Sequence, residues 1–173
     1  MAASEGVGLD GFNALSDDRA EQALLACCAS PAWAREVGAR RPYLDADQLF
    51  SAADDALARL SEDDVDDALA GHPRIGERPD TDWSSREQSG TADADAETRR
   101  RLAAGNRAYE DRFGRVYLVC ATGRSAEELL AVLEDRLGND PGTERAIVRA
   151  ELGKINRIRL QRLLQDAGTE DKS

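Results

Sequence analysis

The sequence predicts an all-α protein: a single-domain helical bundle, interrupted by one long irregular loop suited to an active site and by one short extended segment. Three observations carry this expectation. Apolar residues recur three or four apart through most of the chain, the spacing that places side chains on one face of a helix. Ser or Asp precedes most of these runs and Gly or Pro follows several, the residues that cap helix starts and end helices. Charged residues make up 33% of the 173 and aromatics only 5%, a composition that suits helices with solvated outer faces. With 41% hydrophobic residues, a chain of this length can bury a core as one domain.

Residues 1–11 read as a flexible arm, 12–166 as the helical domain and 167–173 as a flexible tail. Within the domain, Ser16 or Asp17 can cap a helix from Asp18 to about Ser30, with Ala20, Leu24, Cys27 and Cys28 inward. Pro31 ends it and opens a short helix through Trp33 to Val37. Asp45 can cap a helix from Ala46 to Leu60 with Leu49, Phe50, Ala53, Leu57 and Leu60 as its buried stripe. Ser61 caps a fourth that runs to Ala70. Asp93 or Asp95 starts a long helix to Phe113, closed by Gly114. Ser125-Ala-Glu-Glu128 fits a capping box for a helix to Leu137. The last helix begins at Asn139-Asp140-Pro141 and runs to about Asp166, with Val148, Leu152, Ile155 and Leu163 on one face.

Two stretches break the helical period. Gly71 to Thr91 carries prolines, glycines and the cluster Trp83-Ser84-Ser85-Arg86-Glu87-Gln88-Ser89. A loop this long inside a compact domain is uncommon without a function. Val116-Tyr117-Leu118-Val119-Cys120-Ala121 is β-prone. An extended run cannot pair its own backbone N–H and C=O groups, so a neighbouring loop or a polar ligand must do so.

The formal net charge is -11. Nucleic-acid backbones and anionic membranes are bound through clustered Lys and Arg, so this balance argues against both. Three cysteines, none at metal-ligand spacing, point to a reducing cytosolic compartment and, with one histidine, away from a transition-metal site. No apolar run is long enough to span a bilayer. The N-terminus lacks the pattern of a signal peptide, and Glu170-Asp-Lys-Ser173 is not a peroxisomal signal.

The side chain best suited to proton transfer near neutral pH is His72, the only histidine. It falls just past a helix end, and Pro73 biases it away from helical angles. It is either an idle turn residue or a proton carrier at a stiff corner. Glu87 is either the acid of a capping box with Ser84 or a carboxylate for catalysis. Asn106 lies among apolar neighbours and needs a hydrogen bond, most simply to a loop. Arg159 falls on the apolar face of the last helix, where it must meet an internal acid or an anionic ligand. If His72, Glu87 and Arg159 converge, the set suits proton-coupled lyase or isomerase chemistry on a small polar substrate.

Several segments resemble the family of 2-oxo-4-hydroxy-4-carboxy-5-ureidoimidazoline (OHCU) decarboxylases. They are His72-Pro73-Arg74-Ile75-Gly76, Ser84-x-x-Glu87-Gln88-Ser89, and Leu102 through Asn106-x-x-Tyr109-x-x-Arg112-Phe113-Gly114. Val119-Cys120-Ala121 and Lys154-Ile155-x-x-Ile158-Arg159-Leu160 complete the set. They come in the family's order over roughly residues 12 to 164. The resemblance implies an all-α, cofactor-free homodimer that decarboxylates OHCU to (S)-allantoin in urate degradation; the tail departs from the family's eukaryotic members, which end in a peroxisomal signal, so a bacterial-type cytosolic enzyme is expected.

By that resemblance His72 is the catalytic acid/base and Glu87 holds the substrate hydroxyl and helps set the protonation of His72. Ser84 and Gln88 bind ureido or ring groups, Pro73 shapes the pocket wall, and Ser85 and Arg86 fall within the same binding loop. The backbone of Tyr117, Leu118, Val119, Cys120 and Ala121 grips the hydantoin-like ring, and Arg159 binds a carbonyl or the carboxylate. Two other functions fit the same composition: an acidic helical module that docks a protein partner, and a lyase acting on a related ureide.

Overall fold

The computed structural model describes residues 3–70, 72, 74, 75, 91 and 94–170. Among them the fold is all-α, with eight helices and no strand. The helices are α1 (Ala3–Ala14), α2 (Asp17–Cys27), α3 (Pro31–Ala39), α4 (Ala46–Ala58), α5 (Glu62–Leu69), α6 (Ala96–Phe113), α7 (Ala126–Arg136) and α8 (Pro141–Glu170). None of the described helices is long and apolar enough to cross a membrane. The chain divides into two compact units, one of Met1–Gly71 with Gly153–Ser173, the other of His72–Leu152.

In the first unit the caps explain where helices begin. Ser16, Ser30, Asp45 and Ser61 each accept a hydrogen bond from the backbone N–H three residues on, at the starts of α2, α3, α4 and α5. Each bond satisfies an N–H that has no partner inside its helix. Pro31 suits the first turn of α3 because the amide hydrogen it lacks would be unbonded there. The helix from Ala46 ends at Ala58 rather than Leu60, since Arg59 and Leu60 donate to carbonyls only three residues back, the tighter winding of a last turn.

α2 packs on α3 and α3 on α4. Trp33 is fully buried, and its indole Nε1 donates to the Ala53 carbonyl at 3.0 Å. Arg41 joins the ends of α1 and α3: its guanidinium donates to the carbonyls of Phe12, Leu15 and Gly38 and pairs with Asp17. Asn13 bonds both backbone groups of Tyr43.

The first helix begins ahead of the expected domain start. Residues 3–11 are helical, with Gly8 and Leu9 buried, in the stretch read from the sequence as a flexible arm. Three glycines lower the helical propensity of this stretch, but one of them serves packing. A Cβ on Gly8 would sit 1.8 Å from the carbonyl oxygen of Leu164, so α1 meets α8 there through bare backbone. At the other end α8 continues to Glu170, past the expected stop near Asp166. On its inner face Leu160 and Leu164 are buried while Leu163 is only half-buried.

In the second unit α6 packs on α7. Asp95 caps α6, and Gly114 closes it in the left-handed region at φ 73°, which glycine adopts without a Cβ clash. The expected capping box of α7 is complete, with Ser125 and Glu128 bonding each other's backbone N–H. The core gathers Ile75, Leu102, Tyr109, Tyr117, Val119, Ala121, Leu129 and Leu133. Residues 116–121 take neither helix nor strand.

Candidate active site

His72 lies in the second unit, half-buried and non-helical, beyond the end of α5. Two residues of α6 hold Arg74 and Ile75, just beyond it in the chain. Arg74 forms a forked pair with Glu110, Nε to Oε1 at 2.6 Å and Nη2 to Oε2 at 3.2 Å. Asn106 Nδ2 donates to the Ile75 carbonyl at 2.8 Å. Asn106 and Glu110 are one helical turn apart, so a single face of α6 fixes both. The buried Asn therefore bonds a loop, the simplest of the expected outcomes. Arg74–Glu110 is partly exposed and orients more than it stabilises.

The run from Tyr117 to Ala121 shares its core with Ile75. Tyr117, Leu118, Val119 and Ala121 are buried and Cys120 is half-buried. Tyr117 donates its hydroxyl to the Leu129 carbonyl at 3.0 Å. Burial pushes the Tyr117 phenol up, against the opposing pull of Arg136 and Arg124. The Ala121 carbonyl accepts from Arg124 N–H at 3.0 Å across a turn with Gly123 at φ 77°. The Leu118 carbonyl accepts from Arg136 Nη1 at 2.6 Å.

Arg136 and Glu144 are the polar pair that sequence reasoning missed. Both are almost fully buried, with Arg136 Nε 2.7 Å from Glu144 Oε1. Burial by itself lowers the Arg136 pKa, but the Glu144 hydrogen bond, Tyr109 and Tyr117 outweigh it and leave the pKa raised. A signal existed: Leu129, Leu133 and Arg136 follow one another on the apolar stripe of α7, which marks the arginine as inward-facing.

Arg159 belongs to the first unit. It is buried and donates from Nη1 to the Cys27 carbonyl at 3.2 Å. The neighbouring Cys28 thiol is pushed up by burial, while the Ser30 backbone, Asn156 and Arg159 pull it down. Asn156 is itself almost fully buried. Pro73, Ser84, Ser85, Arg86, Glu87 and Gln88 lie outside the described residues.

Comparison with known proteins gives a consistent family. The chain is 30% identical over 148 residues to the uric acid degradation bifunctional protein TTL of Arabidopsis thaliana, covering 81% of this chain and 46% of that protein. It is 38% identical over 85 residues to an OHCU decarboxylase of Amia calva, about half of each chain. It thus spans about half the length of these two curated relatives. An OHCU decarboxylase of Haloferax volcanii is 27% identical over 159 residues, 88% of this chain and 93% of that one. Among solved structures, an OHCU decarboxylase crystallised in the presence of (S)-allantoin superposes with a TM-score of 0.73 at 27% identity, over 87% of this chain and 99% of that one. Residues 13–161 match the sequence model of OHCU decarboxylase, and the chain belongs to the OHCU decarboxylase family.

Proposed function

We propose that this chain is a carboxy-lyase converting OHCU to (S)-allantoin. The observation that carries the reading is the likeness, over nearly the whole of that chain, to an OHCU decarboxylase crystallised in the presence of (S)-allantoin. Loss of the substrate carboxylate as CO2 leaves an electron pair that spreads into the ring. His72 then delivers a proton to one face of the ring, which sets the S configuration. Glu87 holds the substrate hydroxyl and tunes His72. Arg159 binds a carbonyl or the carboxylate through paired N–H donors. Ser84 and Gln88 bind ureido or ring groups, Pro73 shapes the pocket wall, Ser85 and Arg86 join the substrate-binding set, and the backbone of Tyr117 to Ala121 holds the ring. What supports the last role is the lack of helix or strand over residues 116–121, whose backbone groups are therefore not consumed by a helix or a ladder.

The same reading assigns the catalytic domain to residues 12–166 and makes the protein a cytoplasmic homodimer. Light scattering of the purified chain is expected to give twice the monomer mass, and a monomer at working concentration overturns the dimer.

The direct test generates OHCU from urate in situ and follows its ultraviolet decay and the optical activity of the product. The wild-type chain is expected to accelerate decay and yield (S)-allantoin. His72→Ala is expected to keep its helical circular dichroism and lose stereoselective product. Normal formation of (S)-allantoin by that variant removes His72 from the mechanism, and no turnover by the wild type removes the reading as a whole.

A further inference from the structure

We propose that Arg136, anchored by Glu144, is a positioning residue for the reaction: it fixes the Leu118 carbonyl and thereby aims the Val119 amide at the ureide ring. The inference rests on the reading of Tyr117–Ala121 as the ring-binding backbone.

Helices hold their own peptide groups through bonds four residues back. Residues 116–121 have neither a helix nor a ladder to do this; the Ala121 carbonyl is held by the Arg124 N–H across a turn, and the Leu118 carbonyl is held by a side chain. Arg136 is the side chain that reaches Leu118. Its Nε meets both carboxylate oxygens of Glu144 at 2.7 and 3.1 Å, and its Nη1 donates to the Leu118 carbonyl at 2.6 Å. Its Nη2 lies 3.4 Å from the Tyr109 hydroxyl. The guanidinium carbon sits 5.0 Å from the Tyr117 ring centroid and 5.7 Å from that of Tyr109. A planar fork held on three sides by these partners has one orientation.

Peptide planarity carries this order one residue further. In a trans peptide the carbonyl of one residue and the N–H of the next point in opposite directions. The Leu118–Val119 peptide is not among the cis bonds of the described chain. Drawing the Leu118 carbonyl toward Arg136 therefore turns the Val119 N–H away from the guanidinium, and that N–H becomes a fixed donor for a ring carbonyl. Cohesion of the core does not by itself require this pair, because apolar residues of similar volume often replace a buried ion pair with no loss of stability. What they cannot replace is the bond to Leu118.

The experiment compares the wild-type chain with Arg136→Lys, Glu144→Gln and the double variant Arg136→Met/Glu144→Leu. Each is assayed for cooperative unfolding, for KM and kcat on OHCU generated in situ, and for inhibition by (S)-allantoin. The double variant, which leaves no buried charge unpaired, is expected to unfold cooperatively. Its KM and its inhibition constant for (S)-allantoin are expected to rise together by roughly tenfold, the effect of one charge-assisted bond. Arg136→Lys keeps the charge but not the fork, so it is expected to unfold cooperatively while its KM rises as in the double variant. If the double variant does not fold, Arg136→Lys and Glu144→Gln carry the same comparison. A folded variant with unchanged KM and allantoin affinity overturns the proposal, as does a loss confined to kcat through a smaller active fraction. A wild type inert toward OHCU instead defeats the underlying assignment of function, so the two failures are distinguishable.

Discussion

Gly8 and Leu164 meet main chain to main chain: a Cβ built on Gly8 would stand 1.8 Å from the Leu164 carbonyl oxygen and 2.8 Å from its carbonyl carbon. No rotamer change relieves such a clash, because the obstructing atoms are backbone. Gly11, three residues on in the same helix, has nothing within 4 Å of its built Cβ. The two glycines therefore predict opposite outcomes for one substitution. Gly11→Ala is expected to stabilise by roughly 0.5–1 kcal/mol through helix propensity. Gly8→Ala is expected to destabilise despite the same propensity gain, since α1 must move off α8. Urea midpoints of the two variants decide this, and a stabilised Gly8→Ala would refute the close approach.

Asn106 ties the corner after His72 to α6. Removing its amide leaves the buried Ile75 carbonyl without that donor, at a cost of about 1–3 kcal/mol. Asn106→Ala is thus expected to lower urea stability by that amount and to slow OHCU turnover, because Ile75 lies three residues from His72. Wild-type stability in Asn106→Ala would show that the Ile75 bond contributes little.

Acid sensitivity is expected from two helix caps. Asp95 accepts from Thr98 N–H at 2.7 Å, and Asp140 from Thr143 N–H at 2.8 Å. These backbone bonds, with the threonine hydroxyls, hold both carboxyls below the ordinary Asp range. A depressed folded-state pKa means the caps contribute fully above the unfolded value of about 3.9. The contribution then fades as pH falls through the lower folded value. Asn can cap without titrating. Asp95→Asn and Asp140→Asn should therefore flatten the fall in thermal midpoint on acidification below about pH 4. An unchanged acid limb in both would locate the acid lability elsewhere.

The thiols are expected to differ in reactivity. Cys27 and Cys28 are buried and Cys120 is half-buried. Burial raises the Cys28 thiol above its ordinary value, so its neutral form is the one the fold favours. That contribution is complete below about pH 8.5, the unfolded value, and is lost as pH rises through the higher folded one. In native buffer at neutral pH a thiol reagent should modify Cys120 first, with Cys27 and Cys28 reacting only after unfolding. Peptide mapping of the modified sites checks this, and early labelling of Cys28 would contradict its burial.

Helix content and most helix starts were legible because they depend on local chemistry. Ser61, Asp45 and Ser125 announce helices from one or two residues away, and a cap acts within a single turn. The motif set around His72 was legible for another reason: its residue types, in order, mark the family that residues 13–161 match. The burial of Arg159 was legible too, since its apolar neighbours recur at helical spacing.

What sequence alone determined, then, is the all-α class, the caps and the family. Only tertiary structure decided that Gly8 is a point of contact rather than a sign of looseness, because the same residue lowers propensity locally and permits close approach to Leu164, far along the chain. Only tertiary structure joined Arg136 to Glu144 and turned it onto Leu118. Periodicity shows which way a side chain faces on its own helix, but the partner it finds there depends on chain brought in from elsewhere, and no local propensity encodes that meeting.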